Sequence, residues 1–497
     1  MASPSNSIKI HENCLIAPPP SSTHFSLPLT FFDMFWLRFH PVERIFFYSL
    51  PLPHSQPSFF FDQVVPKLKT SLSFTLQHFL PLAGSIVWPS ESDIPIIQFN
   101  PGDGVSLVLA ECDDDEDDDV AEFNQMLKHN SPREATESRK FVPDLESSDS
   151  RASVFSLQIT LFRNRGFCIG ISTHHAVLDG KSSTMFIKAW ALTCKTREDT
   201  PSLAPELEPF FDREVIKDPS GLGSVFVNSW KEISSKLDPS GNSNERSLKI
   251  MSNSNPSQEI AEGKARATFE LTREDIEKIK KRVLSMWHKV EEGAQEKTQP
   301  IIDSSKPNTL STFVVTCAYV SVCIAKAIQE SERDKDKVHK FLFGFTMDCR
   351  TQLKPPIPEN YFGNCVSSHI VDNTDSEDFT KEDGVVIVAK SIHKKIKMLH
   401  HRGPLDGVET LMVRFMSFVS EGVVSIGVAG SNRFGVYGTD FGWGRPKKVE
   451  ITSIDRNLTI GMAESKDGKG GVEVGLVLDK HVMGLFGTFF LAGLCSD

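Results

Sequence analysis

The sequence predicts a two-domain α/β protein in which strands and helices are mixed (α+β). The chain has 497 residues, more than one ordinary hydrophobic core accommodates, so two domains are expected. Apolar runs of strand length alternate with stretches of helical periodicity in both halves. A stretch rich in Ser, Asn, Pro and Gly at about 235–265 separates them. We therefore predict an N-terminal domain over residues 1–220, a crossover linker over 221–265 and a C-terminal domain over 266–497.

The clearest local unit is a predicted hairpin followed by a helix. An apolar strand at 153–162 leads through a turn at 163–166 into a second apolar strand at 167–172. After a loop at 174–180, residues 182–195 carry apolar side chains on one helical face. The loop therefore lies between a buried strand and a packed helix, a rigid support for a functional side chain.

The second half alternates in the same way. Thr272 followed by Asp275 predicts a capped helix start. A polar stretch at about 289–308 then leads into a predicted helix from Ser311 to about Gln329. The other predicted elements are strands at 340–348, 449–455, 458–465 and 470–478, and helices at 381–400, 405–419 and 479–493.

Composition excludes several classes of protein. The formal net charge is −11, and seven of the negative charges lie in one acidic run at 113–119. No basic stripe points to nucleic acid. The nine cysteines include no C-x-x-C pair, so neither a metal site nor a redox motif is predicted. No secretory signal and no run of 18 apolar residues is visible. We expect a cytoplasmic monomer without a membrane partner.

Two short strings carry the chemistry. Residues 174–180 read HHAVLDG, and residues 440–444 read DFGWG. In the first string only His175 has an aspartate four residues later, at Asp179, so His174 is expected to be structural. A histidine can act as a general base near neutral pH. A chance H-x-x-x-D match is common, but the strand before it and the helix after it favour a catalytic His175.

Three other enzyme classes fail on the same residues. Gly180-Lys181-Ser182 ends like a phosphate-binding loop, but His175 occupies the place of its first glycine. Asp440 begins a kinase-like D-F-G, yet no H-R-D loop precedes it. No G-x-S-x-G nucleophile elbow occurs. These absences favour direct transfer assisted by a general base over an acyl-enzyme.

The chain resembles the plant BAHD acyltransferases, which use acyl-CoA donors. The resemblance covers nearly the whole chain, and the strings that carry it are LPLTFFDMFWLRFHPVERIFFY (27–48), HFLPLAGSI (78–86), HHAVLDGKSSTMF (174–186), STFVVTCAYV (311–320), DCR (348–350), YFGNC (361–365) and DFGWGRPKKVEITSIDR (440–456). It implies a fold like chloramphenicol acetyltransferase, with two similar domains and a channel between them. It also implies that His175 deprotonates the acceptor hydroxyl, and that Asp179 points away from substrate and pairs with Arg350.

The resemblance suggests further site residues, each with a plainer alternative. Trp443 would hold the developing oxyanion or shape the channel, whereas a purely architectural turn is favoured for Asp440. Trp36 would stack on a flat acceptor or simply pack in the core. Lys181 would meet a malonyl carboxylate or remain solvated at a helix start. The remaining candidates are Ser311 and Thr312, which would face the pantetheine arm of CoA.

The YFGNC string is similar to the branch that acts on anthocyanin and other phenolic glucosides, often with malonyl-CoA. The predicted function is transfer of a malonyl group from acyl-CoA to a sugar hydroxyl of a phenolic or flavonoid glucoside. No cofactor besides the CoA co-substrate and no metal is expected. Two alternatives stay open: a coumaroyl-CoA donor acting on an anthocyanin glucoside, and a catalytically silent binding protein.

Overall fold

The structure is a computed structural model that describes residues 8–113, 121–196, 203–237, 246–250, 263–288, 306–332, 339–371 and 376–495. The acidic run beyond Asp113 and most of the polar stretch at 289–308 lie outside the described residues. The strands are β1 (Ile8–Ile16), β2 (Phe25–Pro28), β3 (Val42–Ser49), β4 (Ser85–Val87), β5 (Ile96–Phe99), β6 (Val105–Cys112), β7 (Arg133–Glu134), β8 (Arg151–Ser153), β9 (Phe155–Phe162), β10 (Gly166–Thr173), β11 (Lys264–Leu271), β12 (Phe341–Asp348), β13 (Val366–Ile370), β14 (Val424–Ser431), β15 (Lys448–Ile451), β16 (Thr459–Glu464) and β17 (Val472–Asp479).

Helices fill the intervals between these strands, and a π-helical turn (Phe60–Val64) joins the second helix to the third. The α-helices are α1 (Phe31–Met34), α2 (Pro57–Phe59), α3 (Val65–His78), α4 (Leu80–Ala83), α5 (Glu122–Leu127), α6 (Gly180–Thr196), α7 (Leu222–Leu237), α8 (Arg273–Ser285), α9 (Thr312–Ser331), α10 (Gly384–Arg402), α11 (Leu411–Ser420) and α12 (Lys480–Cys495).

The strands form three sheets among the described residues. The first has the order β1-β6-β9-β10-β3-β15, the second β13-β12-β14-β16-β17-β11-β7, and a small third one β2-β5-β4-β8. The predicted hairpin is confirmed: β9 and β10 are antiparallel, from Phe162 opposite Gly166 to Phe155 opposite Thr173. Every residue of both strands is buried, which explains their continuous apolar sequences. The loop that carries His175 follows the end of β10.

The two halves of the chain exchange strands. We call the residues before α7 the N-terminal half and those after it the C-terminal half. Strand β15 of the C-terminal half pairs with β3 in the first sheet. Strand β7 of the N-terminal half pairs with β11 in the second. The halves are therefore joined through the backbone of both large sheets.

Helix α7 corrects the predicted linker at 221–265. Leu222, Phe226, Trp230 and Ile233 recur at helical spacing and are buried in the hydrophobic core of the N-terminal half. The start of the predicted linker is therefore a packed helix, because its apolar stripe needs a core to cover it. Most of the Ser- and Asn-rich remainder lies outside the described residues.

Helix α9 is the core helix of the C-terminal half. Ser311 caps it by accepting a hydrogen bond from the Val314 amide at 3.2 Å. By length and hydropathy alone α9 could span a membrane, although no run of 18 apolar residues was found in the sequence. Most of its side chains are buried between α10 and α12. Its apolar composition is therefore accounted for by the protein's own core.

A network of buried charges joins the two halves beside the first sheet. The Arg139 guanidinium contacts the carboxylates of Glu43 and Asp455. Arg266, which is 1% exposed, lies 3.4 Å from Asp455 and 3.5 Å from Glu450. Each charge has an opposite partner, as burial requires. This network holds the halves in one arrangement around the cavity that they share.

That cavity, which we call the central cavity, has a volume of about 2330 Å³. Its walls come from both halves and include Trp36 and His175 from the first and Ser311, Arg350 and Phe415 from the second. Single-ligand sites usually measure about 300–1,000 Å³. The central cavity is therefore large enough for two substrates at once.

Candidate active site

His175 projects into the central cavity from the loop between β10 and α6. Its imidazole stacks on the indole of Trp36, with ring centroids 3.9 Å apart and planes 6° from parallel. The Nδ1 atom is buried without a hydrogen-bond partner. The Nε2 atom also has no hydrogen-bond partner among the described residues but is not fully buried, so it is the ring nitrogen that is accessible from the cavity. This nitrogen can receive a proton from a molecule bound in the cavity.

The two adjacent histidines differ in what surrounds them. Burial lowers the pKa of His175 to about 4, although its own backbone and the Asp179 carboxylate both raise it. Burial and the neighbouring His175 lower the pKa of His174 to about 3. His174 is fully buried, and its Nδ1 accepts a hydrogen bond from the Ala176 amide at 3.2 Å. His174 therefore shapes the loop, whereas His175 is a neutral base that faces the cavity.

Asp179 is bonded away from the imidazole. One oxygen accepts the Ser182 amide at 2.9 Å, so the carboxylate caps the N-terminus of α6. The other oxygen lies 2.8 Å from the Arg350 guanidinium and accepts the Cys365 amide at 3.1 Å. Asp179 and Arg350 are both almost completely buried. The expected pair between them is present, and the same carboxylate is also a helix cap.

The YFGNC segment packs against the start of α6. The Ser182 hydroxyl accepts the Gly363 amide at 3.1 Å, and Arg350 donates to the Tyr361 carbonyl at 3.0 Å and the Gly363 carbonyl at 3.2 Å. Arg350 therefore satisfies several acceptors besides Asp179. These contacts fasten a segment of the C-terminal half to the loop that carries His175.

A second set of hydrogen bonds holds the backbone of His175. No role was predicted from the sequence for the residues that form it, Asn364 and Asp33. The Asn364 side chain donates to the His175 carbonyl at 2.9 Å and to the fully buried carboxylate of Asp33 at 3.0 Å. Asp33 also accepts from the Thr30 amide and hydroxyl, each at 2.8 Å. Burial raises the pKa of Asp33, against the opposing effect of Arg213. The T-x-x-D spacing was a visible capping signal, but its link to Asn364 was not.

The DFGWG turn lies far from His175. Helix α6 starts at Gly180 beside the loop, and Lys195 in its last turn pairs with Asp440 at 2.7 Å. About 22 Å of helix separates these two ends at 1.5 Å per residue. Asp440 also accepts the Gly442 and Gly444 amides at 2.9 Å each. Asp440 therefore closes its own turn, in line with the architectural alternative.

Trp443 requires a correction. Its indole lies 4.6 Å from the Lys67 ammonium and meets the ring of Phe167 edge-on at 6.2 Å. Phe167 stands near the start of β10, whereas His175 follows its end. Trp443 is not among the residues that line the central cavity. The geometry gives it no place in an oxyanion site or in the channel wall, because it serves the opposite end of the sheet.

We therefore expect Trp443→Ala to affect stability and not turnover. Loss of a half-buried indole should lower the free energy of unfolding by about 1–3 kcal/mol. For the folded enzyme, kcat/KM should stay within about threefold of wild type, a barrier change below 1 kcal/mol. Denaturant unfolding and steady-state kinetics measure the two quantities separately, with Trp443→Phe as the control that keeps a ring. A tenfold loss of kcat/KM in a fully folded variant would restore a catalytic role.

Two of the predicted substrate contacts already have partners within the protein. One face of the Trp36 indole is covered by His175 itself, and stacking of an acceptor on the rest of the ring stays a prediction. Lys181 lines the cavity, but its ammonium contacts Glu359 and lies 3.7 Å from Asp348. A malonyl carboxylate would have to compete with these two exposed carboxylates, and its contact with Lys181 stays a prediction.

Ser311 and Thr312 do line the central cavity. The Ser311 hydroxyl is used to cap α9, and contact with a pantetheine arm stays a prediction. In the part of the chain that the structure describes, no group of three or more His, Cys, Asp or Glu side chains is arranged to hold a metal ion.

Comparison with known proteins agrees with this geometry. A family model described as Transferase family matches residues 6–490. Phenolic glucoside malonyltransferase 1 from Arabidopsis thaliana is 40% identical over 494 residues, with 98% of each chain covered. Malonyl-CoA:anthocyanidin 5-O-glucoside-6''-O-malonyltransferase from the same plant is 39% identical over 482 residues, with 96% of each chain covered. The chain belongs to the BAHD transferase family.

The fold of this BAHD protein matches a solved structure. The crystal structure of vinorine synthase aligns with a TM-score of 0.63 at 18% identity, covering 98% of each chain. Similarity at that identity shows the fold alone, and it confirms the predicted two-domain arrangement of mixed strands and helices. As a BAHD member, the chain is an acyl-CoA-dependent acyltransferase.

Proposed function

We propose that this BAHD enzyme transfers a malonyl group from malonyl-CoA to a sugar hydroxyl of a phenolic or flavonoid glucoside, with His175 as general base. The observation that carries the proposal is a neutral histidine whose Nε2 opens into a cavity of about 2330 Å³ between the two halves. A general base and room for two substrates are what direct transfer needs. The names of the two relatives support the choice of malonyl and glucoside.

The reaction proceeds in one acyl transfer. The Nε2 atom of His175 takes the hydroxyl proton as the sugar oxygen attacks the thioester carbonyl. The carbon–sulfur bond then breaks, and the CoA sulfur leaves with the proton returned by His175. Among the described residues no serine or cysteine is hydrogen-bonded to the His175 ring, so no nucleophile is prepared for an acyl-enzyme.

Thiol release by the purified protein tests the proposal. Malonyl-, acetyl- and coumaroyl-CoA are each combined with a flavonoid glucoside, with the sugar-free aglycone or with no acceptor. We expect release that requires the glucoside and is fastest with malonyl-CoA. If thiol release were fastest with coumaroyl-CoA, the donor would be coumaroyl-CoA and not malonyl-CoA. No release with any pair would favour a silent binding protein.

The pH dependence of turnover follows from the burial of His175. Its base form is present above the folded pKa of about 4, so kcat/KM should fall as the pH drops through about 4 and not through 6.5. The measurement is kcat/KM from pH 4 to 8, with residual activity at pH 7 as a control for acid inactivation. An acid limb centred near pH 6.5, the ordinary value for histidine, would contradict the lowered pKa of His175 while leaving the general-base assignment standing.

The lowered pKa values of His174 and His175 also make the stability of the fold depend on pH. Between pH 6.5 and about 4 the unfolded chain protonates His174 and His175, whereas the folded chain keeps both neutral. The free energy of unfolding should therefore fall with decreasing pH in this window.

We also propose the cytoplasm as the location and a monomer as the working state. All nine cysteines carry free thiols, which suits a reducing compartment. Light scattering on the purified protein tests the monomeric state, and imaging of a fluorescent fusion tests the cytoplasmic location.

A further inference from the structure

Arg44 is a buried cation in the wall of the central cavity. Arg44 lies on β3, is 6% exposed and lines the cavity. Its guanidinium donates a hydrogen bond of 3.3 Å to the Thr184 hydroxyl, and it forms no ion pair with any described residue. Two other cations of this wall have carboxylate partners, Arg350 in Asp179 and Lys181 in Glu359. Arg44 is therefore a buried positive charge that forms no direct contact with a carboxylate of the described residues.

The surroundings of Arg44 keep a positive excess. The Lys188 ammonium lines the same cavity and donates to the Phe434 carbonyl at 2.6 Å. The Glu464 carboxylate raises the pKa of both cations, and one of its oxygens is buried without a partner. Burial lowers the pKa of Arg44 to about 10, so it stays charged at neutral pH. Two cations thus share one carboxylate, which leaves room for one more negative charge.

Arg44 is on the same wall as the general base. In the register of the first sheet it lies opposite Ile171, and His175 follows four residues later on that strand's exit loop. Its partner Thr184 is the fifth residue of α6, five positions after Asp179. A planar guanidinium suits a carboxylate, which it can bind through two parallel hydrogen bonds.

We propose that Arg44, supported by Thr184 and Lys188, binds the free carboxylate of the acyl group and so selects dicarboxylic acyl donors. This inference rests on the proposed malonyl transfer. In malonyl-CoA the carboxylate is two bonds from the reacting carbonyl carbon. Binding it at Arg44 compensates the buried charge and fixes the thioester near His175.

Donor selectivity of Arg44→Met tests the proposal. Malonyl-CoA and acetyl-CoA differ only by the carboxylate, so their kcat/KM ratio cancels any effect on the CoA portion. Removing one partner of a buried, hydrogen-bonded charge pair typically lowers affinity by about 30-fold or more. We expect the malonyl-to-acetyl ratio to fall by about that factor, with kcat/KM for acetyl-CoA nearly unchanged. An equal loss for both donors would overturn the proposal in favour of CoA-phosphate binding or a structural role.

Three further variants test the assignment to Arg44. Arg433→Met removes an exposed cation from the cavity rim and should leave the ratio unchanged. Lys181→Met tests the competing cation, and a ratio that collapses there but not in Arg44→Met would overturn the proposal. Should Arg44→Met fail to fold, Thr184→Val removes only the hydroxyl that orients the guanidinium. A ratio unchanged in Thr184→Val would then count against Arg44.

Measuring donor binding without turnover tests the role of Arg44 separately from the proposed function. Calorimetric affinities of malonyl-CoA and acetyl-CoA need no turnover and no acceptor. A wild-type preference for malonyl-CoA that is lost in Arg44→Met supports the subsite even if no glucoside is acylated. Equal affinities in the wild type would overturn it, and a preference that survives in Arg44→Met would do so while leaving malonyl transfer intact.

Discussion

Replacing His175 by alanine should lower kcat/KM by about 10²–10⁴-fold, the usual contribution of a positioned general base. The imidazole is neutral, its Nε2 faces the central cavity, and no other described histidine shares its position on Trp36. The sugar hydroxyl would then have to lose its proton to water. Because the side chain ends in a cavity, its removal should have little effect on the free energy of unfolding. Thiol release under saturating donor measures the rate, and urea unfolding measures the stability.

The adjacent histidine provides the matched control. His174 is fully buried and bonded within the loop, so His174→Asn should lower stability more than His175→Ala does. Its remaining folded enzyme should keep kcat/KM within about tenfold of wild type, which is near 1.4 kcal/mol. The general-base assignment fails if His175→Ala retains more than a tenth of the wild-type kcat/KM, or if the two variants exchange their effects.

The second large effect is expected at Asp179. Asp179→Ala should lower the free energy of unfolding by about 3–5 kcal/mol, since it leaves the Arg350 guanidinium buried without its main partner. The variant also removes the cap of α6, worth about 1 kcal/mol. A domain that is stable by only about 5–15 kcal/mol would lose much of its margin. Urea unfolding with a common slope measures the change.

The structure supplies two controls for this prediction. Asp348 lies 3.0 Å from Arg350 as well, but its side chain is 46% exposed. Asp348→Ala should therefore cost under about 1 kcal/mol. The double variant Asp179→Ala/Arg350→Leu removes both buried charges and should be less destabilised than the sum of its single variants. A single Asp179→Ala loss below about 1 kcal/mol would show that the pair does not hold the loop.

Individual helices, strands and turns could be predicted from the sequence because they depend on residues that are close together in the chain. The hairpin β9–β10, helix α6 and the capping box at Thr272 follow from apolar runs, turn residues and side chains three positions apart. The histidine and its aspartate could be selected because the strand and helix around them are adjacent in the chain. Family strings then extended this reading to the fold and to the Asp179–Arg350 pair.

The charge state and the surroundings of each side chain were decided by the tertiary structure. Whether Lys181 is free or paired depends on Glu359, and whether Arg44 is paired depends on what β3, α6 and Glu464 bring together. Trp443 is conspicuous in the sequence, yet its turn is bound to the far end of α6 through Lys195 and Asp440. It therefore packs on Phe167, at the end of β10 opposite His175. Contacts of this kind join residues far apart in the chain. The sequence by itself thus determined many of the elements, the family and the candidate base. Only folding decided which charges are left for a substrate, because burial and long-range pairing arise together.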